Sequence, residues 1–534
     1  MSSTVRADTR VLRGVSAGAG AADVSISRIA QRVLGFAYGL IALQALVAVP
    51  VLAIELTTGQ YSPTSIAVGF AVAVLGAAFG IRSWSRLRGL RTRLVDGLGA
   101  VPRGRFLVGL LMTATVLRVA WIAAFPAPTR SDGAVYVALA TALAAGQPYA
   151  TDLGRAYWPP GYPLFLTPIF WLFGASSMAI VASNLALCAA SVLAVLALGR
   201  AVADEPTARL AAVLVALWPN HVTVSGLAVK EVLLVALLPA ALLCHLPAVH
   251  EPHSSRGTLL AAGAGLAAGA AALTQPSLLA LPLVLSAHAL VLTEAPRRRA
   301  LARAVVIVAT SAAVIAPWTA RNYLVLGSFV PVATNGGHNF YRANNPLATG
   351  RYVEPDAGEL VATDEIVRDA TGYRRGWEWI RSAPLAFLGL AWKKQLLFLG
   401  DDAYGFYETL KRGLGRSDAS YALLKAASNG VWWLAWLVVL IALWSDPDRL
   451  TRPGFGCLIL ISLLLYSIHS VFESGGKYHL PLLGPWAILT AVCVAEREKS
   501  RSPCGGPHGG VRLERSLIAA VPVRRTASRA VVGE

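Results

Sequence analysis

The sequence predicts an all-α fold: a polytopic membrane helix bundle of about twelve spans, with external loops bearing interfacial helices. Composition is the first observation. Of 534 residues 55% are hydrophobic and only 14% are charged, whereas soluble domains carry about 25% charged residues. The second is the length of the apolar runs, far beyond the roughly 10-residue alternating segments of a membrane β-barrel.

Twelve runs qualify as spans: 34–55, 66–82, 105–125, 177–198, 208–219, 229–247, 258–273, 277–293, 303–319, 428–445, 454–470 and 479–495. A straight crossing takes about 20 residues. The run 208–219 is short and ends at Trp218-Pro219, so it either extends or is partly re-entrant. The first run lies behind a polar tail without a small-residue cleavage site and reads as an uncleaved span. The five cysteines do not pair in an external loop, so neither a disulfide nor a zinc cluster is expected.

The net charge of +18 would suggest nucleic acid in a soluble protein. Here the arginines stand in short loops beside apolar runs, so topology explains them and no nucleic-acid partner is expected. Arg6, Arg10, Arg13, Arg28 and Arg32 precede the first span; Arg82 to Arg105 follow the second; Arg297-Arg298-Arg299 and the tail after Arg497 are also basic. An even number of spans puts all of these, and both termini, in the cytoplasm. Residues 126–176 and 320–427 then lie outside the cell membrane. The resulting order is a cytoplasmic tail (1–33), two extra spans with a basic loop (34–104), a core (105–319) containing the first external loop (126–176), a second external loop with interfacial helices (320–427), C-terminal spans (428–495) and a disordered basic tail (496–534).

The external segments carry the chemistry. Arg130-Ser131-Asp132-Gly133-Ala134-Val135-Tyr136 opens a helix-like run that stops at Gly146 and Pro148. Asp132 reads as a helix cap, a general base or a metal ligand. Trp158-Pro159-Pro160-Gly161-Tyr162-Pro163 is a rigid turn, and its aromatics suit either the membrane interface or a wall for a sugar or polyprenyl chain. Lys230-Glu231 begins the sixth span, at the interface or pointing inward. Arg118 lies within the third span, snorkelling or paired with an acid. Arg321 suits a bidentate phosphate contact. Asn335, Gly336, Gly337 and His338 follow in a turn with exposed backbone N–H groups. Lys477-Tyr478-His479 sits at the outer mouth of the last two spans, as an interfacial anchor or a grip on a lipid phosphate.

Together these segments resemble the GT-C glycosyltransferases, in the branch of dolichyl-phosphate-mannose–protein mannosyltransferases and bacterial aminoarabinose or lipid A sugar transferases. The resemblance covers roughly residues 105–495, and Trp158 to Pro163 is its most specific carrier. It implies an inverting transfer from a polyprenyl-monophosphate sugar to a lipid, glycan or protein acceptor on the outer face of the bilayer, with Asp132 as the acid of the first external loop. Arg130, Tyr136, Trp158, Tyr162, Lys230, Glu231, Arg321, Asn335, His338, Lys477, Tyr478 and His479 become candidate substrate-binding residues. Family members with two adjacent acids here invite a divalent metal, Mg or Mn; this chain has Asp132-Gly133, which leaves that cofactor open. A transporter or lipid flippase without transferase activity is the alternative, although the polar groups cluster at one face and no matched halves are evident. A non-catalytic envelope scaffold is a further rival.

Overall fold

A computed structural model describes residues 19–58, 62–251, 254–352, 360 and 364–495. The basic tail expected at 496–534, and residues 1–18 of the N-terminal tail, lie outside these. The described residues form helices and no strand; an isolated bridge between Thr151 and Gly154 is the nearest approach to one.

Nine described helices are long and apolar enough to cross a membrane. They coincide with nine of the twelve expected runs. The other three runs are shorter helical segments: Glu205–Leu217, Pro276–Leu292 and Leu480–Val494. At about 1.5 Å per residue, the 13 residues of Glu205–Leu217 rise only about 20 Å. The helix stops at Trp218, whose extended backbone precedes Pro219, and resumes as Pro219–Thr223. A residue before proline is pushed out of the helical region, which accounts for the break.

The first helix runs Ala19–Thr58 and so begins well before residue 34. Residues expected in a tail are therefore helical. Ser27 Oγ and Gln31 Nε2 there donate to the Leu292 carbonyl at 3.1 and 3.2 Å, which gives these polar side chains a place in the bundle. This helix and Pro63–Trp84 pack against Ala419–Ser445: the Trp433 indole donates to the Leu46 carbonyl at 3.0 Å.

Arginines stitch one end of the bundle. Arg91 reaches the Val494 carbonyl (3.1 Å), Arg449 that of Ala495 (2.7 Å) and Arg209 that of Leu98 (2.7 Å), while Arg32 pairs with Asp448 at 2.9 Å. The opposite end carries the two long loops. Their helices, Asp132–Ala144, Gly161–Phe173, Gly336–Ala343, Glu365–Ser382 and Pro384–Leu399, are all 18 residues or shorter. Between the ends lies an apolar core in which Trp432, Trp436 and Trp486 meet with ring centroids 5.0–5.3 Å apart.

Candidate active site

A cleft opens at the loop end. Four chain segments build it: Ala127–Gly133 with Tyr136, Gly226–Glu231, the face Tyr404–Glu408–Arg412, and Lys477.

Asp132 starts the helix Asp132–Ala144. Ser131 occupies the cap position but its side chain makes no cap bond. Its φ is 53°, the one positive value at a non-glycine residue among those described. Such a backbone is strained by roughly 1–3 kcal/mol and is characteristic of functional turns. Gly133 is required by close approach: a Cβ there would sit 2.5 Å from the Ala228 carbonyl oxygen. The glycine thus lets the helix start press against the segment leading to Lys230.

The Asp132 carboxylate accepts from Lys477 Nζ at 3.3 Å. The two side chains are 45% and 25% exposed, so the pair is only partly shielded and contributes roughly 1 kcal/mol or less to stability. Burial alone would raise the Asp132 pKa. The ammonium groups of Lys477 and Lys230, with the Arg342 guanidinium, outweigh it and hold the carboxyl below its ordinary value. Asp132 is therefore ionised at neutral pH, at the positive end of a helix dipole.

Glu231 is buried (3% exposed) in the first turn of Lys230–His250 and lines the same cleft beside Lys230. Across from them Arg412 pairs with Glu408 at 3.2 Å. Arg130 is exposed at the rim. Tyr136 lies one helical turn after Asp132. Burial, then the carboxylates of Asp132 and Glu231, push its phenol well above its ordinary pKa, so it stays a donor. Trp158 and Tyr162 stand behind Tyr136 as an edge-to-face wall, at 5.6 and 5.8 Å between centroids. Gly161, in the middle of their turn, seats against the end of Ser254–Thr274, where a Cβ would meet the Thr274 backbone nitrogen at 2.4 Å.

The remaining candidates lie outside the cleft lining. Arg321 donates to the carbonyls of Arg155 (2.7 Å) and Tyr149 (2.9 Å) and stacks over Trp318. It is a clasp on the strap that leads to Trp158. The second external loop supplies other clasps to that strap. Glu365 accepts from the backbone N–H groups of Arg155 (2.7 Å) and Ala156 (3.0 Å), and His338 Nδ1 meets the Tyr157 hydroxyl at 2.7 Å. Asn335 holds the cap position of Gly336–Ala343 without a side-chain bond. Tyr478 turns away from Asp132; its hydroxyl donates to Glu473 and its ring stacks on His469 at 4.4 Å.

His479 is buried beneath the cleft, 3.0 Å from Asp402 and stacked on Trp432 at 4.7 Å. Asp402 also accepts from the Trp218 indole and the Asn220 amide, each at 2.6 Å. This knot ties the 218–226 break to Tyr404, since Gly405 N–H donates to Asn220 Oδ1 at 2.9 Å.

Sequence reading missed Tyr404, Glu408 and Arg412. Their spacing of four, one face of a helix, was the available signal.

The fold and site define a polytopic membrane bundle with a charged cleft at one end. Residues 158–320 match the family described as dolichyl-phosphate-mannose-protein mannosyltransferase. That match covers under a third of the chain. It includes the Trp158–Pro163 turn, Lys230 and Glu231 and leaves Asp132 and Lys477 outside. Among solved structures, the chain is similar to the Archaeoglobus fulgidus oligosaccharyltransferase AglB in complex with an inhibitory peptide and a dolichol-phosphate. Identity is 15%, coverage 72% of this chain and 50% of that one, and the TM-score 0.46. A second structure of that oligosaccharyltransferase, with Zn and sulfate, gives 16%, 72%, 48% and 0.47. The chain thus spans about half the length of these proteins. ArnT from Cupriavidus metallidurans bound to undecaprenyl phosphate gives 15% identity, coverage of 74% and 77%, and a TM-score of 0.40. No curated protein matches the chain.

Proposed function

We propose that this protein transfers a hexosyl or pentosyl group from a polyprenyl-monophosphate sugar to an extracytoplasmic acceptor, with inversion and with Asp132 as general base. The observation that carries the reading is the Asp132 carboxylate at the mouth of the cleft, ionised and ringed by Lys477, Lys230 and Arg130 at one end of an apolar bundle.

The chemistry follows from those charges. The acceptor hydroxyl or amine attacks the anomeric carbon, Asp132 takes its proton, and the carbon–oxygen bond to phosphate breaks with its electron pair going to the phosphate oxygen. Phosphate is a good leaving group, so catalysis rests on stabilising the charge it gains. Lys477, Lys230 and Arg130 are placed for this. Lys477 would exchange part of its contact with Asp132 for the donor phosphate, freeing the base as the donor seats. Tyr136 offers a hydroxyl donor, and the wall behind it fixes its ring.

Mg or Mn fits this site poorly. The Asp132 charge is already matched by an ammonium 3.3 Å away, and Gly133 stands where a second acid would help hold a hard cation. No step is assigned to a metal.

The cleft lies at the end opposite the arginine-rich loops, so the positive-inside bias puts it outside the cell membrane with both termini in the cytoplasm. Residues 105–319 and 428–495 then form the catalytic body, with 320–427 as its outer clasp and 34–104 as an accessory pair of spans. The acceptor is a lipid, glycan or protein chain entering from the rim at Arg130.

The test is sugar transfer by purified protein in nanodiscs from a radiolabelled polyprenyl-phosphate sugar. Asp132→Asn should lower the rate by about 10²–10⁴-fold, the usual contribution of a general base. Unchanged turnover in a folded variant would remove the base assignment.

A further inference from the structure

His245, His288 and Cys457 converge inside the bundle, and their ligand atoms all lie within 4.8 Å of one another. His245 Nε2 and His288 Nδ1 are 2.9 Å apart. The three residues are 0%, 1% and 0% exposed. They come from three segments at one depth. His245 lies about a turn and a half before the end of Lys230–His250, His288 begins the π turn that closes Pro276–Leu292, and Cys457 is one turn into Pro453–Val471. All three ends face the arginine-stitched side, so the cluster is remote from the cleft.

We propose that these three side chains form a binding site for monovalent copper. Thiolate is a soft ligand that selects Cu(I), and imidazole suits copper as well. Charge decides between copper and zinc. Cu(I) with one thiolate and two neutral imidazoles is electrically neutral, whereas Zn(II) with the same donors keeps a net positive charge. Uncompensated charge at membrane depth is costly. Structural zinc also takes four protein ligands, and three converge here among the described residues.

Local backbone supports a built site. π turns gather at functional positions because they re-aim a side chain, and here the turn starts at His288. The Leu292 carbonyl at its end is bonded by Ser27 and Gln31 of the first helix, which holds the turn in place. On binding, the thiol proton leaves to water and the sulfur bonds the metal. The N–H proton between the two rings moves to the far nitrogen of its own ring, so each ring presents a lone pair. Copper remains Cu(I), and no oxidant or reductant enters.

The experiment loads the full-length protein in detergent with Cu(I) under anaerobic conditions, against a chromogenic Cu(I) chelator. Expected are one copper per chain, sulfur and nitrogen ligands by X-ray absorption, and a higher thermal unfolding midpoint. Cys457→Ser and His245→Gln should each weaken binding at least tenfold. Cys244→Ser, one residue from His245 but outside the cluster, should leave it unchanged. Monodisperse elution of each variant separates lost ligation from lost fold. Less than a tenth of a copper per chain, retention of copper in both cluster variants, or zinc bound in preference to Cu(I) would overturn the proposal.

Discussion

Replacing Asp402 by alanine removes a single carboxylate from beneath the cleft and asks what holds the site together. The carboxylate accepts from Trp218 Nε1 (2.6 Å), Asn220 Nδ2 (2.6 Å) and His479 Nε2 (3.0 Å). Asp402 is 1% exposed and its three partners 4%, 0% and 2%. Alanine would leave three buried donors without an acceptor. Each orphaned donor costs about 1–3 kcal/mol, and water entering the space recovers part of that. Breaking a buried, hydrogen-bonded charge typically costs about 3–5 kcal/mol, so about 3–5 kcal/mol is expected. The preceding residue is the control. Asp401 pairs with Lys425 at 2.6 Å, but these side chains are 19% and 13% exposed. Asp401 also accepts from the Asn429 amide at 3.2 Å, but water reaches this carboxylate more readily than that of Asp402, and Asp401→Ala should cost less, about 1–2 kcal/mol. Urea unfolding in mixed micelles, followed by tryptophan fluorescence, measures both. Asp402→Asn should fall between them, because it keeps the shape but turns an amide N–H toward one of the donors. If Asp401→Ala and Asp402→Ala destabilise equally, the knot does not hold the cleft floor and the reasoning fails.

Three further outcomes follow from the cleft. Because the Asp132 pKa is depressed, its ionised form and the ion-pair contribution are present at neutral pH and are lost as pH falls through a value below the ordinary carboxylate range. The acidic limb of kcat/KM should lie there, and Lys477→Met should move it to higher pH; a limb that does not respond to Lys477 would assign it to another group. Gly133→Ala should lower kcat about tenfold or more with little change in cooperative unfolding, since its methyl would push the Asp132 turn off the Ala228 carbonyl; wild-type kinetics would show that the approach is not needed. Arg321→Gln should speed limited proteolysis near residues 149–157 while transfer falls less than tenfold, because its guanidinium bridges the Tyr149 and Arg155 carbonyls; a loss as deep as that of Asp132→Asn would return Arg321 to the donor phosphate.

The spans were legible because a membrane helix is a local property of composition: each apolar run declares itself. The interior of the site is not local. Asp132 and Lys477 meet across 345 positions, and Asp402 meets His479 across 77. Lys477 and His479 read as one cluster in sequence, yet they lie in the turn before Leu480–Leu482, where neighbouring side chains point to different sides. Lys477 therefore enters the cleft while His479 drops into the tryptophan core. Arg321 has the right chemistry for phosphate, but its guanidinium is taken up by the Tyr149 and Arg155 carbonyls of the strap 149–157. The copper ligands were invisible for the same reason: His245, His288 and Cys457 lie on three separate helices, so no ligand spacing appears in the chain.

Arg118 shows how a break in one helix shapes the whole site. It is 1% exposed within the third span, and neither snorkelling nor an acidic partner accounts for it. Its guanidinium donates to the carbonyls of Ala114 and Ala216, each at 2.9 Å, and lies 2.9 Å from His221 Nδ1. Pro219 has no N–H, so the carbonyls just before the Trp218-Pro219 break lose helical partners. In a bilayer such groups must be satisfied by other protein groups. Arg118 answers that need at Ala216, and His221 Nδ1 lies 3.1 Å from the Val215 carbonyl. The buried cation is thus a consequence of the broken helix. The break in turn sends residues 224–229 along the edge of the cleft, where Ala228 meets Gly133 and Lys230-Glu231 begin the next helix facing Asp132. A single Trp-Pro step therefore links an arginine at membrane depth to the placement of Lys230 and Glu231 beside the acid.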